Sequence, residues 1–268
     1  LIMKLFFINI LKFIFDNQFG QRFLQKIHLL VLYLQNYGLT GDLDHSGELH
    51  VIKRLGKKLS LKDNSVVFDV GANVGKYISY LDKHITSEYS AYCFEPSKTT
   101  YQELSENTSN LKNVKLINKG LGDKTETLTL YSNEISNTQS SVLKRDMSHW
   151  QEDYNLVNEE KVELTTLDLF CKENQIDFID FMKVDVEGYE MNMFKGATHF
   201  LSSKKIGAIQ FELGVASVDG KYFFKDVFYL LNKNYKIYRI TPRHLFEIKK
   251  YSEQNEVFLT TNYLAVLR

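Results

Sequence analysis

Three turns in this chain carry carboxylates, and each follows a short apolar run. In VVFDVGANVG, residues 66–75, Asp69 closes the run and Gly71 and Gly75 bracket Asn73. Glycines in such a turn let backbone N–H groups approach a ligand that a Cβ would hold away. A helix opening behind the turn adds partial positive charge for a carboxylate or phosphate. In AYCFEP, Glu95 closes the next run, 24 residues after Gly71. A carboxylate about 20 residues beyond a glycine turn suits a ribose diol, because it accepts two hydroxyl hydrogen bonds. In FMKVDVEGYE, residues 181–190, Asp185 and Glu187 are expected at the same sheet edge as Asp69. Either could take the proton of an attacking hydroxyl within hydrogen-bond reach.

The type of nucleoside ligand follows from details of the turn. A dinucleotide fingerprint requires G-x-G-x-x-G, whereas this turn is G-x-x-x-G and no arginine marks a 2′-phosphate site. Asp69 beside the glycines suits the ammonium of a methionine moiety better than a pyrophosphate. Asp69, Asp185 and Glu187 around one crevice would favour a cationic sulfonium by Coulomb attraction. S-adenosylmethionine is therefore the expected cofactor. An NAD-linked oxidoreductase and a non-catalytic scaffold on the same fold are the alternatives.

Other polar residues read as structural. Glu190 is expected to cap the helix that follows it. Asp168, three positions after Thr165, has capping-box spacing. The seven histidines have no metal-ligand spacing and no G-x-S-x-G elbow occurs, so neither a metal nor a serine nucleophile is expected.

The elements that must position these turns alternate along the chain. The runs VVFDV, AYCFE, VKLIN, FIDFMKVD and AIQFEL are separated by polar–apolar segments of helical period. That alternation predicts βαβ units, a mostly parallel sheet and helices on both faces. YKIYRI and VFLTTNYLAVL end the chain in β structure, as an antiparallel edge hairpin would. Between Thr125 and Leu164 the alternation breaks. LTLYS reads as a strand, and the long polar stretch after it, about 132–160, as a loop roofing the ligand edge. His149 and Trp150 lie in that stretch. Residues 1–60 are predicted to form a helical extension ahead of a domain at 61–268.

With 33 basic and 33 acidic residues in 268, the chain shows no electrostatic footprint for nucleic acid. Cys93 and Cys171 read as structural thiols of a reducing compartment, which points to the cytoplasm. LIMKLFFINILKFIF, at the start, is too short and interrupted to span a bilayer and lacks a cleavage site. It is expected either to dock on the domain or a partner subunit, making dimerisation possible, or to lie in a membrane interface. The few basic residues favour docking.

Taken in order, VVFDVGANVGKY, AYCFEP, INKGLGD, TTLDLF, FMKVDVEGYE and TTNYLAV resemble the FkbM family of S-adenosylmethionine-dependent methyltransferases over roughly residues 65–268. The resemblance implies a Rossmann-like α/β class I methyltransferase fold with a seven-stranded sheet whose last strand is reversed. It also implies O-methylation of a sugar, glycan or other small hydroxyl-bearing molecule. By motif, Asp69, Gly71, Asn73 and Gly75 would form the methionine loop, Glu95 would hold the ribose and Asp123 would face the adenine amine. Asp185 would sit near the methyl group. The base stays open between Asp185 and Glu187, and Glu212, at the end of another strand, is a candidate substrate-binding residue.

Overall fold

The computed structural model describes residues 2–39, 42–55, 61–133, 139–145 and 156–268. Two helices open the chain, α1 (Ile2–Phe15) and α2 (Gln18–Leu34), and the Asn17 side chain caps the second by accepting the Gly20 N–H at 2.8 Å. Two short helices follow, α3 (Leu43–Ser46) and α4 (Glu48–Leu55). The alternation then begins with β1 (Ser65–Val70), α5 (Lys76–His84), β2 (Tyr89–Phe94), α6 (Lys98–Asn107) and β3 (Val114–Ile117). Next come β4 (Gly120–Leu121), β5 (Glu126–Ser132), β6 (Asn158–Thr165) and α7 (Leu167–Glu173). The sheet resumes with β7 (Ile179–Val184), α8 (Glu190–Lys195), α9 (Thr198–Ser202), β8 (Ile206–Leu213), α10 (Val215–Asp219) and α11 (Phe224–Leu231). The chain closes with β9 (Tyr235–Ile240), β10 (Leu245–Glu247) and β11 (Thr261–Leu267).

The main sheet has eight strands in the order β10-β9-β11-β8-β7-β1-β2-β3. β3, β2, β1, β7 and β8 run parallel, and β11 pairs antiparallel with both β8 and β9. This is the class I methyltransferase sheet with its last strand reversed. Two sequence expectations need correction. The sheet has eight strands instead of seven, because β10 pairs with β9 at the edge. β11 forms no edge hairpin: it inserts between β8 and β9, which lets its apolar residues be covered from both faces.

Period-two alternation sorts each strand onto two cores. Phe68 and Val70 of β1 face one cluster, with α7, α8, α9 and α11, while Val67 faces the other, with α5 and α6. Val51, Ile52 and Leu55 of α4 are buried in that second cluster beside Ile78, Leu81 and Phe181. Residues 48–55, on the extension's side of the boundary expected at residue 60, thus share the sheet's core. By contrast α2 is exposed along its length except for Gly20 and half-buried Leu32. Docking of these first helices on the domain is not what the described side chains show.

The stretch after β5 is also shorter than expected. NEEKVELT forms β6, which pairs antiparallel with β5 and parallel with β4 in a second, three-stranded sheet. Its charged residues face out while Val162 and Leu164 turn inward onto Leu130. His149 and Trp150 lie outside the described residues.

Candidate active site

The carboxyl ends of β1, β2, β7 and β8 open into one cavity of about 260 Å³. Its glycine-turn wall is built by close contact of β1 and β7. Asp185 donates its N–H to Val70 O at 2.9 Å, which brings the Asp185 carbonyl against Gly71. A Cβ on Gly71 would lie 1.8 Å from that oxygen, and Gly71 has φ +81°. Only glycine fits, and the reason is the neighbouring strand as much as any ligand. Gly71 and Ala72 both donate their N–H to Phe94 O. Asn73 takes φ +49°, a left-handed conformation that asparagine tolerates, and its Oδ1 accepts the Val74 N–H at 2.7 Å. Gly75, φ +84°, precedes α5.

Glu95 faces this turn from the end of β2. It is buried, and its two oxygens accept the N–H groups of Asn73 at 3.0 Å and Ser97 at 2.9 Å. The carboxylate read as a ribose acceptor also braces the glycine turn. Burial pushes its pKa up to about 7, against the two backbone donors and with Glu160 and Asp69 adding to the rise. Asp69 sits beneath the cavity floor, 1% exposed, in register with Lys183 of β7. Neither of its oxygens has a hydrogen-bond partner within the protein. Burial lifts it to about 6, opposed by Lys183 and reinforced by Asp185 and Glu48. Asp123 is exposed and does not line the cavity, whereas Gly120 and Leu121 just before it do.

On the far side, Asp185, Glu187 and Glu212 converge, each placing one carboxylate oxygen within 4.8 Å of the others. Cations pair with two of them, and Asn262 Nδ2–H donates to Glu212 Oε2 at 3.5 Å. Lys183, buried near the carboxyl end of β7, places Nζ 3.0 Å from Asp185 Oδ2 and 5.1 Å from the Tyr77 ring centre. Burial alone would lower its pKa, but Asp185, Asp69 and Glu48 raise it, so the ammonium persists. Arg145, buried, donates Nη1–H to Glu187 Oε2 at 2.9 Å and Nε–H to Asp219 Oδ2 at 3.2 Å. Glu187 itself has φ +49°, and Ser141 Oγ–H donates to its carbonyl at 2.7 Å. Burial, then Asp185, pushes Glu187 upward despite Arg145. Glu212 is raised by burial, with Asp185 and Glu187 adding to it. Such a carboxylate trio could hold a cation, whether a metal ion or a sulfonium.

Glu190 accepts the N–H groups of Val186 and Gly188 and the Tyr222 hydroxyl, so it holds this turn together as expected of a structural residue. Asp168 accepts the N–H groups of His199 and Phe200 and thereby caps α9, while Thr166 caps α7. Both carboxylates are accounted for away from the chemistry.

The sequence reading missed five residues. Glu48 of α4 lines the cavity; it accepts Ser46 Oγ–H at 2.9 Å and Gln210 Nε2–H at 2.9 Å. Tyr77 O–H in turn donates to Gln210 Oε1 at 3.0 Å. Burial raises Glu48, opposed by Lys183. Lys183 left a usable signal, a cation following the apolar pair Phe181–Met182 in a strand otherwise charged only at Asp180. Arg145, Gln210 and Glu48 left none, because their partners are remote in sequence. Of the expected roof, Ser140, Ser141 and Val142 line the cavity.

Residues 69–238 match the family model described as the methyltransferase FkbM domain, spanning more than half of the chain and every turn above. The chain belongs to the FkbM methyltransferase family. S-adenosylmethionine is the cofactor of that family and fold, so the NAD alternative falls. Among relatives, this FkbM chain is 24% identical to hexuronic acid methyltransferase AglP of Haloferax volcanii over 179 residues, 66% of this chain and 67% of that one. It is 29% identical to methyltransferase sdnD of Sordaria araneosa over 161 residues, 51% of this chain and 62% of that one. A solved FkbM methyltransferase from Methylobacillus flagellatus KT superposes with a TM-score of 0.47 at 15% identity, over 93% of this chain and 61% of that one. The chain thus spans about three-fifths of the length of these last two relatives.

Proposed function

We propose that the protein is an S-adenosylmethionine-dependent O-methyltransferase whose acceptor is a hydroxyl of a sugar, glycan or similar small molecule. The observation that carries the reading is one cavity with the glycine turn and Glu95 on one side and Asp185, Glu187 and Glu212 on the other. The donor set fits the cofactor. Glu95 can offer its remaining lone pairs to a ribose diol, and Asp69 has two unpartnered oxygens beneath the turn. Gly71, Asn73 and Gly75 shape the methionine loop, Gly120 and Leu121 flank the base, and Asp123 meets the adenine amine from outside the rim.

When bound, S-adenosylmethionine supplies a methyl group made electrophilic by its sulfonium. The chain's own residues do the rest. Glu212 and Glu187, pushed toward their protonated forms, hydrogen-bond acceptor oxygens and hold the reacting one in line. Asp185, paired with the Lys183 ammonium, receives the hydroxyl proton. Arg145 fixes Glu187 and so is a positioning residue. Lys183 and Arg145 already balance part of the acidic charge, and the reaction is proposed to need no metal.

Glu48, Asp185, Glu187, Glu212 and Lys183 line the acceptor side. Among the described residues no helix is long and apolar enough to cross a membrane. The two buried free thiols, Cys93 and Cys171, support a reducing compartment, and the cytoplasm is the proposed location. Labelled S-adenosylmethionine incubated with neutral, amino and uronic sugars and oligosaccharides tests the reading. Transfer to a hydroxyl is expected; no transfer to any acceptor, despite cofactor binding, would favour a non-catalytic scaffold.

A further inference from the structure

Among the described residues, the first two helices carry many exposed large apolar side chains, and these lie apart from the cavity chemistry. Phe13, Phe19 and Leu34 are 88%, 82% and 78% exposed, and Phe23, Leu30 and Val31 add to the same surface. The hairpin is tightly built: Gly20 packs against the Phe15 backbone and the Phe15 and Phe23 rings stack. Contiguous apolar surface of this kind marks an interaction site.

The charges identify the partner. Residues 1–39 hold four basic residues, Lys4, Lys12, Arg22 and Lys26, against one acid, Asp16. The rest of the chain is net acidic, since the whole balances at 33 and 33. At about 100° per residue, the apolar side chains of α2 cover more than half its circumference, and Arg22 and Lys26 fall inside that arc, on the stripe of Leu29 and Tyr33. A seam between two copies of these helices would bury Arg22 and Lys26 with Asp16 as the one acid of the segment to meet them. A lipid interface takes them easily, since their stems lie along acyl chains while their heads reach phosphates. At 1.5 Å rise per residue α2 is about 26 Å long, short of the roughly 30 Å hydrocarbon thickness. It suits lying in the interface, not crossing it.

We propose that α1 and α2 form a monotopic membrane anchor that seats the protein on an anionic bilayer surface. The test is flotation of the full chain with vesicles of phosphatidylcholine alone, or with about a quarter phosphatidylglycerol, at low and high salt. Binding to the anionic vesicles is expected, stronger by about fivefold for each basic residue engaged and weakened by salt. The triple variant Phe13→Glu, Phe19→Glu, Leu34→Glu should keep its melting temperature, because all three side chains are exposed, and lose flotation. Arg22→Glu with Lys26→Glu should lose only the anionic preference. Failure of the wild type to float on either vesicle overturns the proposal. So does a lipid-free dimer, seen by light scattering, that the triple variant dissociates while flotation is unchanged. Neither result bears on the methyltransferase reading, which rests on the cavity.

Discussion

Gln210 Nε2–H donates to Glu48 Oε1 at 2.9 Å, joining a central strand to a helix 162 residues earlier. This contact makes α4 a wall of the cavity, outside the span that matches the family model. Glu48→Ala would take from the fully buried Gln210 amide the nearer of its two acceptors, leaving Asn262 Oδ1 at 3.5 Å. A stability loss of about 1–3 kcal/mol is expected, the cost of a poorly satisfied buried donor. Thermal melts should show it, while the dissociation constant of S-adenosylhomocysteine changes by less than about threefold, as the residue faces the acceptor side.

Gly71→Ala should be far more damaging. The left-handed backbone alone costs about 1–2 kcal/mol for a residue with a Cβ, before the clash with Asp185 O is counted. Loss of S-adenosylhomocysteine binding together with a lowered melting temperature is expected by calorimetry. Retention of both would mean that β1 and β7 do not approach as described.

Cofactor binding should depend on pH through Glu95. Its carboxylate is pushed up to about 7, and it accepts ribose hydroxyls fully only when ionised. Affinity for S-adenosylhomocysteine should therefore weaken roughly tenfold per pH unit below that value. The stability of the ligand-free protein should move the other way. With folded pKa values raised above their ordinary ones, Glu95 and Asp69 contribute stability that is present in acid and lost as pH rises through about 6 and 7. Titrations and melts between about pH 5.5 and 8 check both slopes, and Glu95→Gln should flatten the binding curve.

Lys183→Met removes the ammonium that Asp185, Asp69 and Glu48 surround. Leaving buried carboxylates uncompensated typically costs about 3–5 kcal/mol. The variant should melt earlier, and more so at high pH, where those carboxylates ionise. A melt unchanged across pH would show that Lys183 does not hold the acidic side together.

Chelation separates the two uses of the carboxylate trio. With Lys183 and Arg145 beside the acids, methyl transfer is expected at the same rate with and without EDTA. A rate lost in EDTA and restored by magnesium would assign Asp185, Glu187 and Glu212 to a metal.

The sequence by itself determined the strand–helix alternation, the glycine turn and the order of the acidic turns. Each central strand is buried on both faces and so had to be a short apolar run, with its carboxylates pushed to the end. It determined the structural roles of Glu190 and Asp168 in outline, although Asp168 caps α9 and not its own helix. Tertiary structure alone decided where β11 sits, because pairing between distant antiparallel strands leaves no local mark. It alone made a strand of NEEKVELT, whose few apolar residues gain cover from Leu130 on the partner strand and from Val142 and Tyr189. It also brought Glu48, Arg145 and Gln210 to the cavity: a buried charge or amide is tolerated where a partner meets it, and these partners arrive from across the fold.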